Sequence, residues 1–379
     1  MKIAINCSIC QPKGGGITEY IENLTRNLDV LDESNEYVLY VIPDYLDYCK
    51  KVLPSRFKIK TIPFVDTLYG KIKRSLFSQD FWYREEYEEK FILFHSPFFY
   101  APKFRRAKVL LTVHDLRLYR FPSTYSLLRY LFLYHSVKES IKRADRIISI
   151  SDFTKKEIVD TCGVDGKKIV VIPEAINRDD FNPAAVMDSY LDVNYKYLNN
   201  TKYILSVSHL EPRKNFERLV DAFILLKNKY KDDDLKLIIV GQKNNGSKRI
   251  LNKIEKASDV IHIDFVSREF LLWLYKNATL FVFPSYYEGF GFPPMEASSM
   301  GVLSVVSNCS SIPEVCGDCA IYFNPYDVKD IAEAMLSGLV DKKLIKDKKL
   351  RIEDNLSRFS WKSNAEETLT VYQELKEIM

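Results

Sequence analysis

Short runs of β-branched and apolar residues alternate along this chain with longer stretches in which apolar residues recur every three or four positions. The runs read KIAIN, YVLYVI, FKIKTI, FILFHS, KVLLTVHD, RIISIS and KIVVIP up to residue 173. They resume at 203 with YILSVS, LKLIIVG, VIHIDFV, TLFVFPS, VLSVVS and AIYFNP. They are apolar throughout rather than at every second position, which predicts strands covered on both faces, as in a parallel sheet between helices. Strand and helix alternating in this way predict a doubly wound, Rossmann-like α/β design. The series occurs twice. Between the two lies 176–201, rich in Asn, Asp and Tyr and only weakly periodic, which reads as a linker. The expected boundaries are 1–175 for a first domain, 176–201 for the linker, 202–358 for a second domain and 359–379 for a closing helix opened by Ser360-Trp361. Ligands of such sheets bind outside the carboxyl ends of the strands, so the two domains are expected to turn their working loops into a shared cleft.

Composition narrows the class without changing this picture. A chain of 379 residues, 46% hydrophobic and 28% charged, suits a two-domain globular protein and excludes disorder, collagen and a disulfide-stapled miniprotein. No run of eighteen apolar residues predicts a membrane span. The start, MKIAINCSIC, lacks the basic and long apolar segments of a secretory signal and reads as a first buried strand, so a cytoplasmic location is expected. A net charge of +4 is too small to suggest a nucleic-acid partner. Its distribution is uneven, with 28 Lys and Arg against 22 Asp and Glu over 1–175, and 27 against 29 beyond. The excess clusters at 50–60, 71–74 and 103–108 among Phe, Tyr, Ile and Leu. That is either a solvated face or a patch for anionic lipid headgroups or a phosphorylated acceptor.

Seven cysteines, an odd number, argue against a disulfide framework. Cys7/Cys10 and Cys316/Cys319 have C-x-x-C spacing, which would suit zinc if the fold brought the pairs together. Cys7 ends an apolar strand and Cys316/Cys319 lie in a small-residue turn, so buried fillers are expected and no metal.

Four segments could carry chemistry. Gly14-Gly15-Gly16 follow the first strand and precede an amphipathic helix. Glycines there let backbone approach a ligand closely, and the helix N-terminus offers amides to an anion. The spacing is neither G-x-G-x-x-G nor the P-loop pattern. His114 ends the strand KVLLTV, at the carboxyl end where ligands sit, as a site residue or a hydrogen-bonded structural histidine. Leu210-Glu211-Pro212-Arg213-Lys214-Asn215 follow the first strand of the second domain, where two cations suit a diphosphate. The fourth segment runs from Pro284 to Glu296. Gly289 and Gly291 bracket Phe290, and Pro293 or Pro294 suits the first turn of a helix. The amides of Phe290 to Phe292 are then free for an anion or a sugar hydroxyl. Glu288 before the helix and Glu296 within it are two acceptors for a polyhydroxylated ligand.

The segment EGFGFPPME, with Glu288 and Glu296 separated by seven residues, closely resembles the retaining glycosyltransferases of family 4 (GT4), which have the GT-B fold. The resemblance covers nearly the whole chain: HSPFFYAP (95–102), LTVHDL (111–116), ADRIISISDFTKKEI (144–158), VIPEAIN (171–177), SHLEPRKN (208–215), SNCSSIPEVCGDCA (307–320) and the closing FSWKSNAEETLTVYQEL. It implies a nucleotide-sugar donor and hexosyl transfer with retained configuration. Glu288 would bind donor-sugar hydroxyls, and Glu296 the ribose. The Phe290 to Phe292 amides, flanked by Gly289 and Gly291, would hold sugar and phosphate. Lys214 with Arg213 would neutralise the leaving diphosphate without a metal. Gly15 and Gly16 would line the diphosphate and acceptor side, His114 would contact the transferred sugar, and the last helix would cross back to the first domain. Where many relatives carry Gly-Arg after the first strand of the second domain, this chain reads Ser206-Val207-Ser208-His209, which leaves Arg213 as second cation. Ala175 replaces a glycine at the entry to the linker.

In motif detail the chain is most similar to bacterial mannosyltransferases of polysaccharide and O-antigen assembly. GDP-mannose is the first choice of donor, with UDP-sugars and dTDP- or GDP-deoxysugars as alternatives. The acceptor implied is a glycan or lipid-linked glycan, which would give the basic, aromatic surface at 67–83 and 117–134 a peripheral membrane role. A sugar-nucleotide epimerase and a non-catalytic binding subunit are the rival classes.

Overall fold

The computed structural model describes residues 1–379 apart from 13, 64–67, 126, 231–233, 245 and 379, and the side chains of 68–77, 123, 128, 129, 188 and 230 are not described. All thirteen apolar runs are strands. The first seven are β1 (Lys2–Asn6), β2 (Glu36–Val41), β3 (Lys58–Thr61), β4 (Leu93–Ser96), β5 (Lys108–Val113), β6 (Arg146–Ser149) and β7 (Ile169–Val171). They form one parallel sheet in the order β3-β2-β1-β4-β5-β6-β7. The rest are β8 (Tyr203–Val207), β9 (Lys236–Val240), β10 (Val260–Ile263), β11 (Leu280–Phe283), β12 (Ser304–Ser307) and β13 (Ile321–Phe323), parallel in the order β10-β9-β8-β11-β12-β13. Each sheet reverses its order beside its first strand, at β1/β4 and at β8/β11. Those are the switch points where the connections diverge to opposite faces and leave a crevice.

The absence of a polar face along the strands follows from cover on both sides. In β9, Leu237 and Ile239 belong to one core with Ile204, Leu280 and Val305, while Ile238 and Val240 belong to another with Leu205, Phe281 and Val306. Helices supply the cover. Gly16–Leu31 buries Tyr20, Ile21, Leu24 and Leu28 on one stripe. Burying such side chains is worth about 1.5–3 kcal/mol each. Helix Asp152–Cys162 starts where the Ser151 hydroxyl accepts from the Thr154 amide and ends at Gly163, whose φ of 67° is left-handed.

The chain divides into two compact units, 1–175 with 360–379, and 176–359. Helix Trp361–Glu377 therefore belongs to the first unit. Trp361 lies edge-on to Tyr20 at 5.8 Å, and Arg146 pairs with Glu374 at 3.3 Å. Residues 176–201, expected as a linker, are instead part of the second unit. They wind through short 3-10 turns that bury Phe181, Val186 and Leu198. Tyr195 stacks on Phe270 at 5.3 Å and Lys276 donates to the Val186 carbonyl at 2.8 Å. Isolated apolar residues among Asn and Asp dock the segment without a helical or strand period, and for that reason its order leaves no periodic signal.

Candidate active site

At the second switch point the loop after β8 meets the loop after β11. Pro212–Lys214 forms a single 3-10 turn closed by Asn215, whose φ of 60° is left-handed. The Asn215 amide nitrogen spans two loops by donating to the carbonyls of Pro284 (3.1 Å) and Pro325 (2.8 Å). This clamp sets Lys214 and Arg213 against Glu288. Lys214 Nζ donates to Glu288 Oε1 at 2.5 Å, and Arg213 Nη1 donates to Glu288 Oε2 at 3.0 Å and to the Tyr287 carbonyl at 2.9 Å. Arg213 Nε also donates to Glu211 at 2.9 Å. Lys214 and Glu288 are buried, and the ammonium lies 5.3 Å from the centre of the Phe283 ring.

Electrostatics set the protonation states. Burial pushes the Glu288 carboxyl up, but the Lys214 and then the Arg213 charges outweigh it and hold it at about 2. Burial pushes Lys214 below the usual lysine range, against the pull of Glu288. Glu288 is thus a permanent carboxylate, suited to accept hydrogen bonds and not to deliver a proton.

Helix Phe292–Ser299 follows, with Pro293 and Pro294 in its first turn and no side-chain cap. Its N-cap is Gly291, at φ 109°, where a side chain would be strained. Among the described residues no acceptor takes the amides of Phe290, Gly291 or Phe292. The loop is held from behind by Ser311, whose hydroxyl reaches the carbonyls of Glu288 (3.0 Å) and Phe290 (2.9 Å). Gly289 is buried in this loop, and Phe290 packs edge-on against Phe359. Glu296 accepts from the buried Tyr275 hydroxyl at 2.6 Å. The two carboxylates are thus anchored differently, one by cations and one by a phenol.

The first switch point carries the other predicted residues. Gly15 is the N-cap of helix Gly16–Leu31, again without a side-chain cap. A side chain at Gly15 would meet open space, whereas at Gly14 it would run into Thr18. His114 follows β5. Its Nδ1 meets Glu174 at 2.8 Å and its Nε2 meets the Pro97 carbonyl at 2.8 Å. The neighbouring His95, at the end of β4, is fully buried between hydroxyls, Tyr372 on Nδ1 at 2.7 Å and Thr112 on Nε2 at 2.8 Å.

Comparison with known proteins gives this arrangement its family. Residues 194–377 match the glycosyl transferases group 1 and residues 14–180 match glycosyltransferase family 4. O-antigen chain mannosyltransferase B of Escherichia coli is 31% identical over 296 residues, which span 77% of this chain and 76% of that protein. The chain belongs to the family 4 and group 1 glycosyltransferases. This glycosyltransferase is also 30% identical over 227 residues to O-antigen chain mannosyltransferase RfbU of Salmonella typhimurium, across 59% of each chain. Among solved structures, sucrose-phosphate synthase from Thermosynechococcus elongatus superposes with a TM-score of 0.77 at 17% identity, covering 100% of both chains. WaaG, a glycosyltransferase involved in lipopolysaccharide biosynthesis, gives 0.70 at 14% identity over 97% of this chain and 99% of its own. The fold is GT-B.

Of the predicted residues, the glycosyltransferase gathers Arg213, Lys214, Glu288 and the Gly289 to Phe292 loop at one switch point, and Gly15, Gly16 and His114 in the first unit. Sequence reasoning missed Glu174, Tyr275 and Ser311 as partners, and it placed Glu211 and Asn215 in the basic turn without their cross-loop contacts. Glu174 directly follows the buried run KIVVIP, a position that does not by itself distinguish it from a surface carboxylate. His135 lies on an exposed face of helix Leu127–Arg143 and takes no part in either switch point. Cys7, Cys10, Cys316 and Cys319 are buried free thiols, and among the described residues no three His, Cys, Asp or Glu converge on a metal position. No described helix is long and apolar enough to cross a membrane.

Proposed function

We propose that this glycosyltransferase moves mannose from GDP-mannose to a glycan or lipid-linked glycan, with retention and without a metal. The donor choice is carried by the mannosyltransferase relative at 31% identity over most of both chains. The chemistry is supported by the Arg213, Lys214 and Glu288 cluster. An ammonium has three donors, and Glu288 takes one from Lys214, so the others suit the oxygens of a departing diphosphate. The uncapped amides of Phe290 to Phe292 suit the same anion or the donor sugar. Glu288, held ionised, would accept from sugar hydroxyls, and Glu296 would take the ribose.

Front-side transfer fits these groups best: the leaving phosphate accepts the acceptor's proton, and the protein positions the partners and stabilises charge. A double displacement needs a carboxylate nucleophile. Asp115, the nearest candidate in sequence, accepts the Arg117 amide at 3.0 Å in a local turn. If Asp115→Ala abolished turnover while leaving donor binding intact, front-side transfer would have to be abandoned.

The lipid-linked reading adds a peripheral membrane contact. Leu127, Leu131 and Phe132 are exposed in the first half of helix Leu127–Arg143, whose last turn carries Lys142 and Arg143. Of the other part of that surface, 67–83, residue 67 and the side chains of 68–77 lie outside the described residues, and Phe81 and Trp82 are buried in the core of the first unit instead of facing outward. Sedimentation with anionic liposomes should show binding that weakens with salt, and its absence at low salt would remove the membrane contact.

The donor is tested by thermal shift with GDP, UDP and dTDP and their sugars, because a ligand of the folded state raises Tm by mass action. Shifts with GDP and GDP-mannose alone are expected. A shift with UDP alone would replace the donor, and none with any nucleotide would overturn the donor site.

A further inference from the structure

We infer that Glu174 is a positioning residue of this active site: together with the Pro97 carbonyl it holds His114 as a doubly protonated imidazolium that ties the loops after β4, β5 and β7 to one another. A backbone carbonyl only accepts, so the 2.8 Å contact of Pro97 with Nε2 needs a proton on Nε2. A carboxylate also only accepts, so the 2.8 Å contact of Glu174 with Nδ1 needs a second proton. His95, one strand away, shows the alternative. Both its partners are hydroxyls, which donate or accept as required, and its ring stays neutral with a pKa near 3 because burial and then the His114 charge disfavour protonation.

The charged groups around His114 agree with the assignment. Burial alone pulls its pKa down, yet the Glu174 charge and hydrogen bond, the Pro97 carbonyl and Asp115 outweigh that pull and leave it raised. His95 and Tyr20 are the titratable groups facing it from β4 and from helix Gly16–Leu31, and the Tyr20 ring sits perpendicular to it at 5.0 Å. Glu174 is 2% exposed, so bulk water competes little for its carboxylate. It is also the penultimate residue of the first unit's main segment, and the carbonyl before it, at Pro173, is held at 2.8 Å by Asn364 of the closing helix. His114 is thus anchored where the chain leaves and re-enters this unit. Glu174 touches no reacting atom in this scheme and acts through His114.

The inference rests on the glycosyl-transfer reading for its effect on rate, and not for the protonation state. Two measurements separate them. In protein labelled with ¹⁵N-histidine, both His114 ring nitrogens should read as protonated at pH 7.5, and in Glu174→Gln the ring should become neutral. Glu174→Asp, which keeps the charge, should retain more of the imidazolium than Glu174→Gln. In turnover, taken with whichever nucleotide sugar is used, the alkaline limb of kcat should move down by at least about one pH unit in Glu174→Gln. That would lower kcat at pH 8 by about tenfold, with donor KM within about twofold. A purely structural role would lower Tm and leave that limb in place. A wild-type His114 titrating near 6.5, or an unchanged ring in Glu174→Gln, overturns the assignment. A neutralised ring with an unmoved limb overturns the positioning role and leaves the transfer reading standing.

Discussion

The reversals of strand order at β1/β4 and at β8/β11 are topologically the same place in two sheets, and they are furnished with opposite materials. Beside β8 and β11 stand ions: Arg213 and Lys214 enclose Glu288, all largely out of water. Beside the carboxyl ends of β1 and β4 stands a neutral chain of hydroxyls and a ring, Tyr20, Thr112, His95 and Tyr372, with an ion pair set outside it at His114 and Glu174. Exposed polar pairs contribute little to stability, and buried ions often cost more than a hydrophobic replacement would. A buried ionic cluster at a ligand crevice is therefore best explained by what it meets there, whereas the neutral chain is explained by the helix it fastens. A switch point thus supplies a place for chemistry without dictating its occupant.

The sharpest way to break that comparison is Lys214→Ala. Removing the ammonium leaves the buried Glu288 carboxylate with Arg213 as its remaining cation, so stability should fall by up to about 3–5 kcal/mol. The loss of a cation at the diphosphate should lower kcat/KM by about 10²–10³. The double variant Lys214→Met/Glu288→Leu should recover much of the stability and none of the activity. Denaturant midpoints and transfer assays check both halves, and recovered transfer in the double variant would sink the functional account of the cluster.

The neutral side answers to pH. His95 titrates near 3 when folded and near 6.5 when unfolded, so the unfolded chain binds more protons between those values. Its contribution is full above about pH 6.5 and is lost as pH falls, at about 1.4 kcal/mol per pH unit. In urea melts, the stability difference between wild type and His95→Gln should shift against the wild type from pH 7 to pH 4.5. A shift in its favour would contradict a neutral ring. His114 has the opposite sign: its raised pKa gives stability that is full below about 6.5 and disappears as pH climbs through the folded value.

Two smaller tests sharpen the contrast. Gly291→Ala places a side chain at φ 109°, at a cost of about 1–3 kcal/mol, and should raise donor KM by turning the Phe290 to Phe292 amides. Tyr372→Phe removes one hydrogen bond to His95, so stability should drop by about 1 kcal/mol with kcat/KM unchanged. A large activity loss in Tyr372→Phe would mean that the neutral chain is part of the reaction.

Most of the fold was legible because strands buried on both faces leave uninterrupted apolar runs, and each of those runs from KIAIN to AIYFNP is a strand. The second switch point was legible for a related reason: glycine, proline and glutamate occur there at spacings that loop geometry demands. The partners that anchor these residues were not. Asn215, legible only as a turn residue, and Tyr275 and Ser311 act through side-chain reach across loops distant in sequence, which no local period records. Glu174 was hidden by its surroundings, since one carboxylate after an apolar strand resembles any surface turn. The segment 176–201 misled because Phe181, Val186 and Leu198 bury themselves singly.

The placement of the closing helix also bears on how the protein is made. The second unit is continuous in sequence, so all its strands are available once residue 359 has left the ribosome. The first unit is synthesised earlier, yet it must wait for the last part of the chain before His95 finds Tyr372 and Tyr20 finds Trp361. Domains of nascent chains generally fold in the order of their synthesis. Here the order of completion is inverted, and a nascent chain exposed from the ribosome only to a few residues past 359 would present a finished second unit and an N-terminal unit with an open seam along helix Gly16–Leu31.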